Sequence, residues 1–370
     1  MLLPQGYIFF CIMTLLEQIT TVEELNKCFY ECSKANKHKF QTQHYGENLL
    51  FNNMVLSEEL RNCTYRVLPT NDFILHERGK VREIHAPNIR DRVVQKTLNK
   101  NVLVPTLRRY LIYDNGASLK WKGTSFTRKR IKIHWNKAIK EFGDFYILKI
   151  DIKKYFDNID HEILWNMLKE KIDPSIWQLT KYVIDSSTET DKGLNLGSET
   201  PQILAVFYLS VIDNYCKTVK GYKYYGRYMD DIYVIAKTKE ELHSLQSDID
   251  AILKEKLKLQ LNIKKTYITK SSRGIVYMQQ KYRTVKGKLV ITPVPRKFVR
   301  ERRKLKAYNR CLYRGEITAL DITFWYKSWR NGILKSSKCK RSVFMIDKYF
   351  HMIYDNIVQI NNRCYVLITK

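Results

Sequence analysis

Tyr225-Gly226-Arg227-Tyr228-Met229-Asp230-Asp231, running on into Ile232-Tyr233-Val234-Ile235-Ala236, sets two adjacent acids between short aromatic and aliphatic runs. That composition predicts two strands over Tyr224 to Ala236, with Met229 and Asp230 at or beside the turn that joins them. Neighbouring carboxylates repel, so a pair held at a hairpin beside a hydrophobic strand calls for a cation. Taken alone, the dipeptide is more simply a solvated turn.

Working outward, a second apolar segment also ends in an acid. Phe145 to Ile152 reads as a strand delivering Asp151 at its exposed end, within Leu148-Lys149-Ile150-Asp151-Ile152-Lys153-Lys154-Tyr155-Phe156-Asp157-Asn158-Ile159. The helix expected next carries Ile163, Leu164, Met167 and Leu168 on one side, and Ile203 to Ile212 is apolar enough for a buried helix. Leu242, Leu245, Ile249, Ile252 and Leu253 recur at helical spacing after the hairpin. The order strand, helix, helix, hairpin, helix predicts an α+β fold, an antiparallel sheet backed by helices rather than a doubly wound one.

Charge narrows the partner. The 370 residues hold 65 Lys and Arg against 37 Asp and Glu, a net +28, which points to a polyanion such as nucleic acid. With 44% hydrophobic residues, 14 Gly and 8 Pro, the chain is neither disordered nor collagenous. From Ala117 to Lys140 there are eight basic residues and no acid, interleaved with Trp121, Phe126 and Trp135. Such a mixture suits a surface that follows a sugar-phosphate backbone and stacks on bases, and places Lys120, Lys122, Arg128 and Arg130 among the candidate contacts. A solvated basic helix face is the plainer alternative. Lys281 to Arg310 repeats the bias, with twelve basic residues against Glu301, and adds Arg300 and Arg303.

Eight scattered cysteines form no CxxC pair, which favours reduced structural thiols in a cytoplasmic protein over a zinc site at Cys28, Cys32 and His38. Tyr7 to Leu16 is apolar but lacks a basic leader and is too short to span a bilayer, so no membrane association is expected. Residues 1–12 read as an upstream extension or a dispensable arm before Met13.

Together, the Tyr-Met-Asp-Asp box and the Asp151 segment make the chain resemble bacterial reverse transcriptases of the group II intron lineage, over about residues 73 to 350. The resemblance implies a right-hand polymerase, with an N-terminal helical extension at 1–70, fingers at 71–145, a palm at 146–270, and a primer-grip hairpin and helical thumb at 271–370. It implies that Asp151, Asp230 and Asp231 hold magnesium, with manganese as the alternative ion. Template RNA, a DNA primer or product, and deoxynucleoside triphosphates are the implied partners; a structured noncoding RNA or a basic accessory protein is a further class.

Other positions match the family's pattern singly. Phe156 matches the steric gate against a ribose 2′-hydroxyl, and Lys80 and Arg82 match the basic pair at the triphosphate. Arg90 and Arg92 are expected on the template backbone. Lys265 matches a lysine that protonates pyrophosphate, with a surface salt bridge as the competing role. Leu196-Gly197-Ser198-Glu199-Thr200-Pro201-Gln202 departs from the common Gln-Gly and Ser-Pro pattern. Gly197 keeps close backbone approach open, and Gln202 puts an amide where a ring is usual. The change resembles the version in diversity-generating retroelements, and similar departures occur in phage-defence enzymes. Arg273 to Met278 falls at the primer grip, and Phe324, Trp325 and Trp329 read as packing anchors of the thumb.

Overall fold

The computed structural model describes residues 13–77, 80–195, 197–336, 340–354, 357–361 and 364–367, without the side chains at 77, 80, 82, 335, 336 and beyond 354. The expected arm at 1–12, and Arg78, Gly79 and Leu196, lie outside it. Two compact units divide the chain. The first runs through Ile131, from Leu148 to Ile235 and from Lys239 to Tyr267; the second takes Lys132–Ile147, Ala236–Thr238 and the remainder from Ile268.

The first unit begins with α1 (Leu15–Ile19), α2 (Val22–Ser33), α3 (Phe40–Glu47) and α4 (Leu49–Arg61). Thr21 starts α2, its hydroxyl accepting from the Glu24 amide at 3.3 Å while Glu23 and Glu24 face the positive end of the helix dipole. Leu25, Cys28 and Phe29 are buried along its inner face. Burial pushes the Cys28 thiol up to about 12 and the Cys32 thiol up to about 11.

A hairpin of β1 (Asn71–Glu77) and β2 (Lys80–Ala86) follows, then α5 (Ile89–Leu98), α6 (Val104–Leu107) and α7 (Thr124–Phe142), which crosses into the second unit. Next come β3 (Tyr146–Ile150) and four helices, α8 (His161–Leu168), α9 (Trp177–Asp185), α10 (Glu199–Tyr208) and α11 (Ser210–Asn214). Sequence periodicity anticipated two of these. It missed α9, and the apolar run to Ile212 is broken at Leu209, where the chain starts a new helix. The hairpin of β4 (Tyr225–Tyr228) and β5 (Asp231–Ala236) leads into α12 (Lys239–Leu257) and β6 (Tyr267–Lys270).

These strands form one sheet in the order β4-β5-β3-β6, with β4 and β5 antiparallel. Ile232 to Ala236 are all buried, as are Ile147, Leu148 and Ile150. Unbroken apolar runs of this kind occur where both faces of a strand are covered. The polar exception in β3 is Lys149, and it bears on the site below.

The second unit holds a three-stranded antiparallel sheet of β7 (Ile275–Tyr277), β8 (Gln280–Val285) and β9 (Lys288–Pro293). Met278 and Gln279 both take left-handed backbone at the β7–β8 turn, the geometry that matches strand twist in a two-residue hairpin. Helices α13 (Arg296–Tyr313), α14 (Ala319–Ser336) and α15 (Lys340–Ile353) then enclose Leu305, Ile322, Tyr326, Ile346, Phe350 and Tyr354, and β10 (Ile357–Asn361) pairs with β11 (Cys364–Leu367). Tyr326 stacks on Phe350 with ring centroids 4.2 Å apart. Trp329 packs against this core, but Phe324 is 70% exposed and does not anchor it. Ile322 and Tyr326, four apart, define the inner stripe of α14, and Phe324 falls between them on the outer face.

Candidate active site

The hairpin turn is short because Tyr228 pairs directly with Asp231, leaving Met229 and Asp230 to reverse the chain. Met229 takes φ +55°, a conformation glycine occupies more cheaply. A non-glycine residue in that region stores strain of about 1–3 kcal/mol, so surrounding contacts must hold it. Arg227 supplies them from inside the fold. Its guanidinium donates to the Met229 carbonyl at 3.1 Å and to the Val206 carbonyl at 2.9 Å, and Nε donates to Asp213 at 2.8 Å. Tyr225 donates to the same Asp213 at 2.6 Å, and Arg227 and Asp213 are both fully buried. Neither residue was singled out from sequence.

Asp151 follows β3 directly. Its Oδ2 accepts from Asn262 at 2.8 Å and from Lys265 at 2.9 Å, and the Asn262 amide donates to its carbonyl at 2.8 Å. Lys149, two residues earlier, projects from the same face of the strand. It pairs with Asp231, the first residue of β5. Burial pushes the Lys149 ammonium down to about 8, against the pull of Asp151 and Asp230. The Asp230 carboxyl is raised above its ordinary value, chiefly by burial and then by the charge of Asp151.

Asp151 and Asp230 line one cavity of about 1290 Å³, and Asp231 does not. Lys153, Lys154, Lys192, Lys264 and Lys265 also line it, beside Val81, Glu83 and His85 of the β1–β2 hairpin. Phe156 contributes to the wall from a short 3-10 turn, its carbonyl tied to the Leu194 amide at 2.9 Å. Gly197 sits at φ +144°, where an added Cβ would lie 2.9 Å from the His85 carbonyl oxygen. A side chain there would separate the hairpin from the loop before α10.

Among the described residues, no group of three or more His, Cys, Asp or Glu is arranged to hold a metal ion. Magnesium prefers one or two carboxylates and completes its shell with water and phosphate oxygens. Asp151 and Asp230 fit that requirement: both line the cavity, and a divalent cation held there would offset the burial and the Asp151 charge that raise the Asp230 carboxyl. Asp231 is paired with Lys149 and lies outside the cavity lining.

The remaining expected contacts divide sharply. Arg90 is held by Glu59, by the Arg66 carbonyl at 2.9 Å and over the Tyr65 ring at 5.0 Å, which makes it a packing residue. Arg92 is half-buried on α5. Arg130 bonds buried Asp114 at 2.5 Å, and Lys122 donates to the Tyr113 carbonyl at 2.7 Å. Arg128 is half-buried, whereas Lys120, Arg300 and Arg303 are exposed. Gln202 is exposed on α10 and does not line the cavity. The side chains of Lys80 and Arg82 lie outside the described residues.

Comparison with known proteins bears on this arrangement. The E. coli (strain K12) protein YkfC is 22% identical over 272 residues, covering 60% of this chain and 69% of its own. Among solved structures, telomerase from Candida albicans in complex with a TWJ fragment of telomeric RNA matches at 14% identity and TM-score 0.45, covering 78% of this chain. Apo telomerase from Candida tropicalis matches at 13% identity and TM-score 0.48, also over 78%. The chain spans 59% and 61% of those two telomerase chains. The family described as reverse transcriptase (RNA-dependent DNA polymerase) matches residues 69–286, a span that contains both acidic strand ends and the whole cavity lining. The chain belongs to the reverse transcriptase family and has the α+β, right-hand polymerase fold of that family.

Proposed function

We propose that this chain is an RNA-directed DNA polymerase of a bacterial or phage-borne retroelement, adding deoxynucleotides to a 3′-hydroxyl on an RNA template in the cytoplasm. The observation that carries the reading is the shared cavity of Asp151 and Asp230, with the Asp230 carboxyl raised by burial first and by the charge of Asp151 second. Magnesium, when bound, neutralises developing charge on the attacking and leaving oxygens. Asp151 and Asp230 would hold it, with Asp231 available as a further carboxylate if its pair with Lys149 opens. Lys265, hydrogen-bonded to Asp151 on the cavity wall, is the residue assigned to protonate the departing pyrophosphate. Phe156 walls the sugar position and excludes a 2′-hydroxyl. Fingers at 71–145, palm at 146–270 and thumb at 271–370 complete the assignment, with Arg300 and Arg303 of α13 toward the duplex backbone. No described helix is long and apolar enough to cross a membrane.

The altered segment ending in Gln202 favours the diversity-generating type; a phage-defence enzyme making DNA from a noncoding RNA or without a template is the second reading, and a maturase-like RNA-binding protein, which would keep its activity without the carboxylates, is the third. The polymerase reading is tested by replacing Asp230 and Asp231 together with Ala. Magnesium-dependent incorporation of deoxythymidine on a polyriboadenylate template with a DNA primer falls to background while RNA affinity is retained. Incorporation that survives the double substitution rejects the reading.

A further inference from the structure

Gly116 donates its amide to the Arg227 carbonyl at 2.9 Å, and the Arg227 amide donates to Asp114 at 3.2 Å, so Asn115 pairs as a bridge with the strand leading to the catalytic turn. The base of this segment is rigid. Asn115 is fully buried and bonds its own chain at Ala117, and a Cβ on Gly116 would lie 1.9 Å from the Thr127 hydroxyl of α7. Lys122 closes the loop by donating to the Tyr113 carbonyl. What this anchored loop displays is aromatic. Trp121 is 88% exposed and sits at φ +67°, and Tyr113 is 66% exposed. Each ring has cations beside it: Lys120 lies 5.4 Å from the Trp121 ring, and Arg130 and Lys122 lie 5.0 and 5.3 Å from that of Tyr113. Phe126 supports Tyr113 edge-on at 5.5 Å. None of these residues lines the catalytic cavity.

Trp121 and Tyr113 thus present two exposed ring faces, each with cations beside it, on an anchored loop. We propose that Tyr113 and Trp121 form a stacking platform for an unpaired RNA strand, a second nucleic-acid site separate from the cavity. Flat aromatic faces with flanking cations fit a base and its phosphate together, and duplex bases present no free face. The choice of RNA over DNA rests on the polymerase reading, because DNA made on a template stays paired while the RNA arrives unpaired. The platform itself does not rest on it. Sequence composition pointed to Lys120, Lys122, Arg128 and Arg130 as phosphate contacts and to Trp121, Phe126 and Trp135 as stacking rings; the structure engages Lys122 and Arg130 around Tyr113 and Asp114, buries Trp135 and leaves Trp121 exposed.

The test is binding, so it is independent of turnover. With the full chain, Trp121→Ala weakens affinity for a short labelled oligouridine by roughly tenfold, and affinity for a blunt RNA–DNA duplex stays within about twofold. Trp121→Tyr restores most of the loss, because stacking survives the change. Oligouridine also quenches tryptophan fluorescence in the parent chain and quenches it less in Trp121→Ala. Tyr113→Leu, at a second exposed position, lowers oligouridine affinity in the same sense. Unchanged oligouridine affinity in both variants, as expected if the patch meets an acidic protein instead, overturns the proposal. An equal loss for duplex and single strand also overturns it, since that marks a general electrostatic surface.

Discussion

Two acid–base pairs flank the β4–β5 turn and differ in almost everything but their chemistry. Arg227 and Asp213 are both 0% exposed, multiply hydrogen-bonded and surrounded by the β4–β5 hairpin and α10. Lys265 and Asp151 meet at the cavity wall, with Lys265 54% exposed and Asp151 17%. The buried pair gives up hydration permanently and in return fixes the Met229 carbonyl, hence the direction in which Asp230 leaves the turn. The exposed pair gives up little and is free to exchange partners. The turn's geometry thus rests on charges that water cannot reach, and the cavity wall carries charges that it can.

Breaking the buried half should have the larger effect on the fold. Asp213→Ala leaves a guanidinium without its carboxylate in a dry interior, an error that costs about 3–5 kcal/mol. Denaturant unfolding of the purified chain measures it, and a cost below about 1 kcal/mol would mean that water or another acid reaches Arg227.

An intermediate case sits in the second unit. Glu301 is buried on α13, and burial raises its carboxyl above the ordinary range despite the fields of Lys304 and Arg300. The folded state therefore holds that proton more tightly than the unfolded chain, so its contribution to stability is full in acid and lost as pH rises through the raised value. Glu301→Gln should accordingly raise the melting temperature at neutral pH, and the gain should vanish below the ordinary carboxylate value. A gain independent of pH would remove burial of the charge as its cause.

The smallest effect on stability belongs to the exposed half. Lys265→Met should change unfolding free energy by no more than about 1 kcal/mol, as surface pairs do, while slowing nucleotide incorporation. Equal losses in stability and turnover would sharpen the comparison in the other direction, by making Lys265 a structural residue.

Much of this was readable in advance. The acids were conspicuous because each ends or interrupts an apolar run, and the turn at Met229 and Asp230 lies where the flanking strands predicted it. The helices around the site were harder. The residues of α10 are buried on nearly every side, so no amphipathic stripe marks where the helix stops at Tyr208. Second partners were harder still. Lys149 had a signal, a lysine inside a strand otherwise apolar on both faces, and it was not used. Asn262 and Asp213 had none, because 111 residues separate Asn262 from Asp151 and 14 separate Asp213 from Arg227. Arg90 shows the converse, since a charge expected on nucleic acid also has Glu59 and the Tyr65 ring as partners within the fold.

The lysine beneath Asp231 carries one more implication. A cluster of acids that depends wholly on imported ions would push its own walls apart whenever those ions ran short. Here amines at 149 and 265 already balance Asp231 and Asp151. On the proposed reading, folding would then tolerate scarce ions, and ion supply would govern only when the chain works.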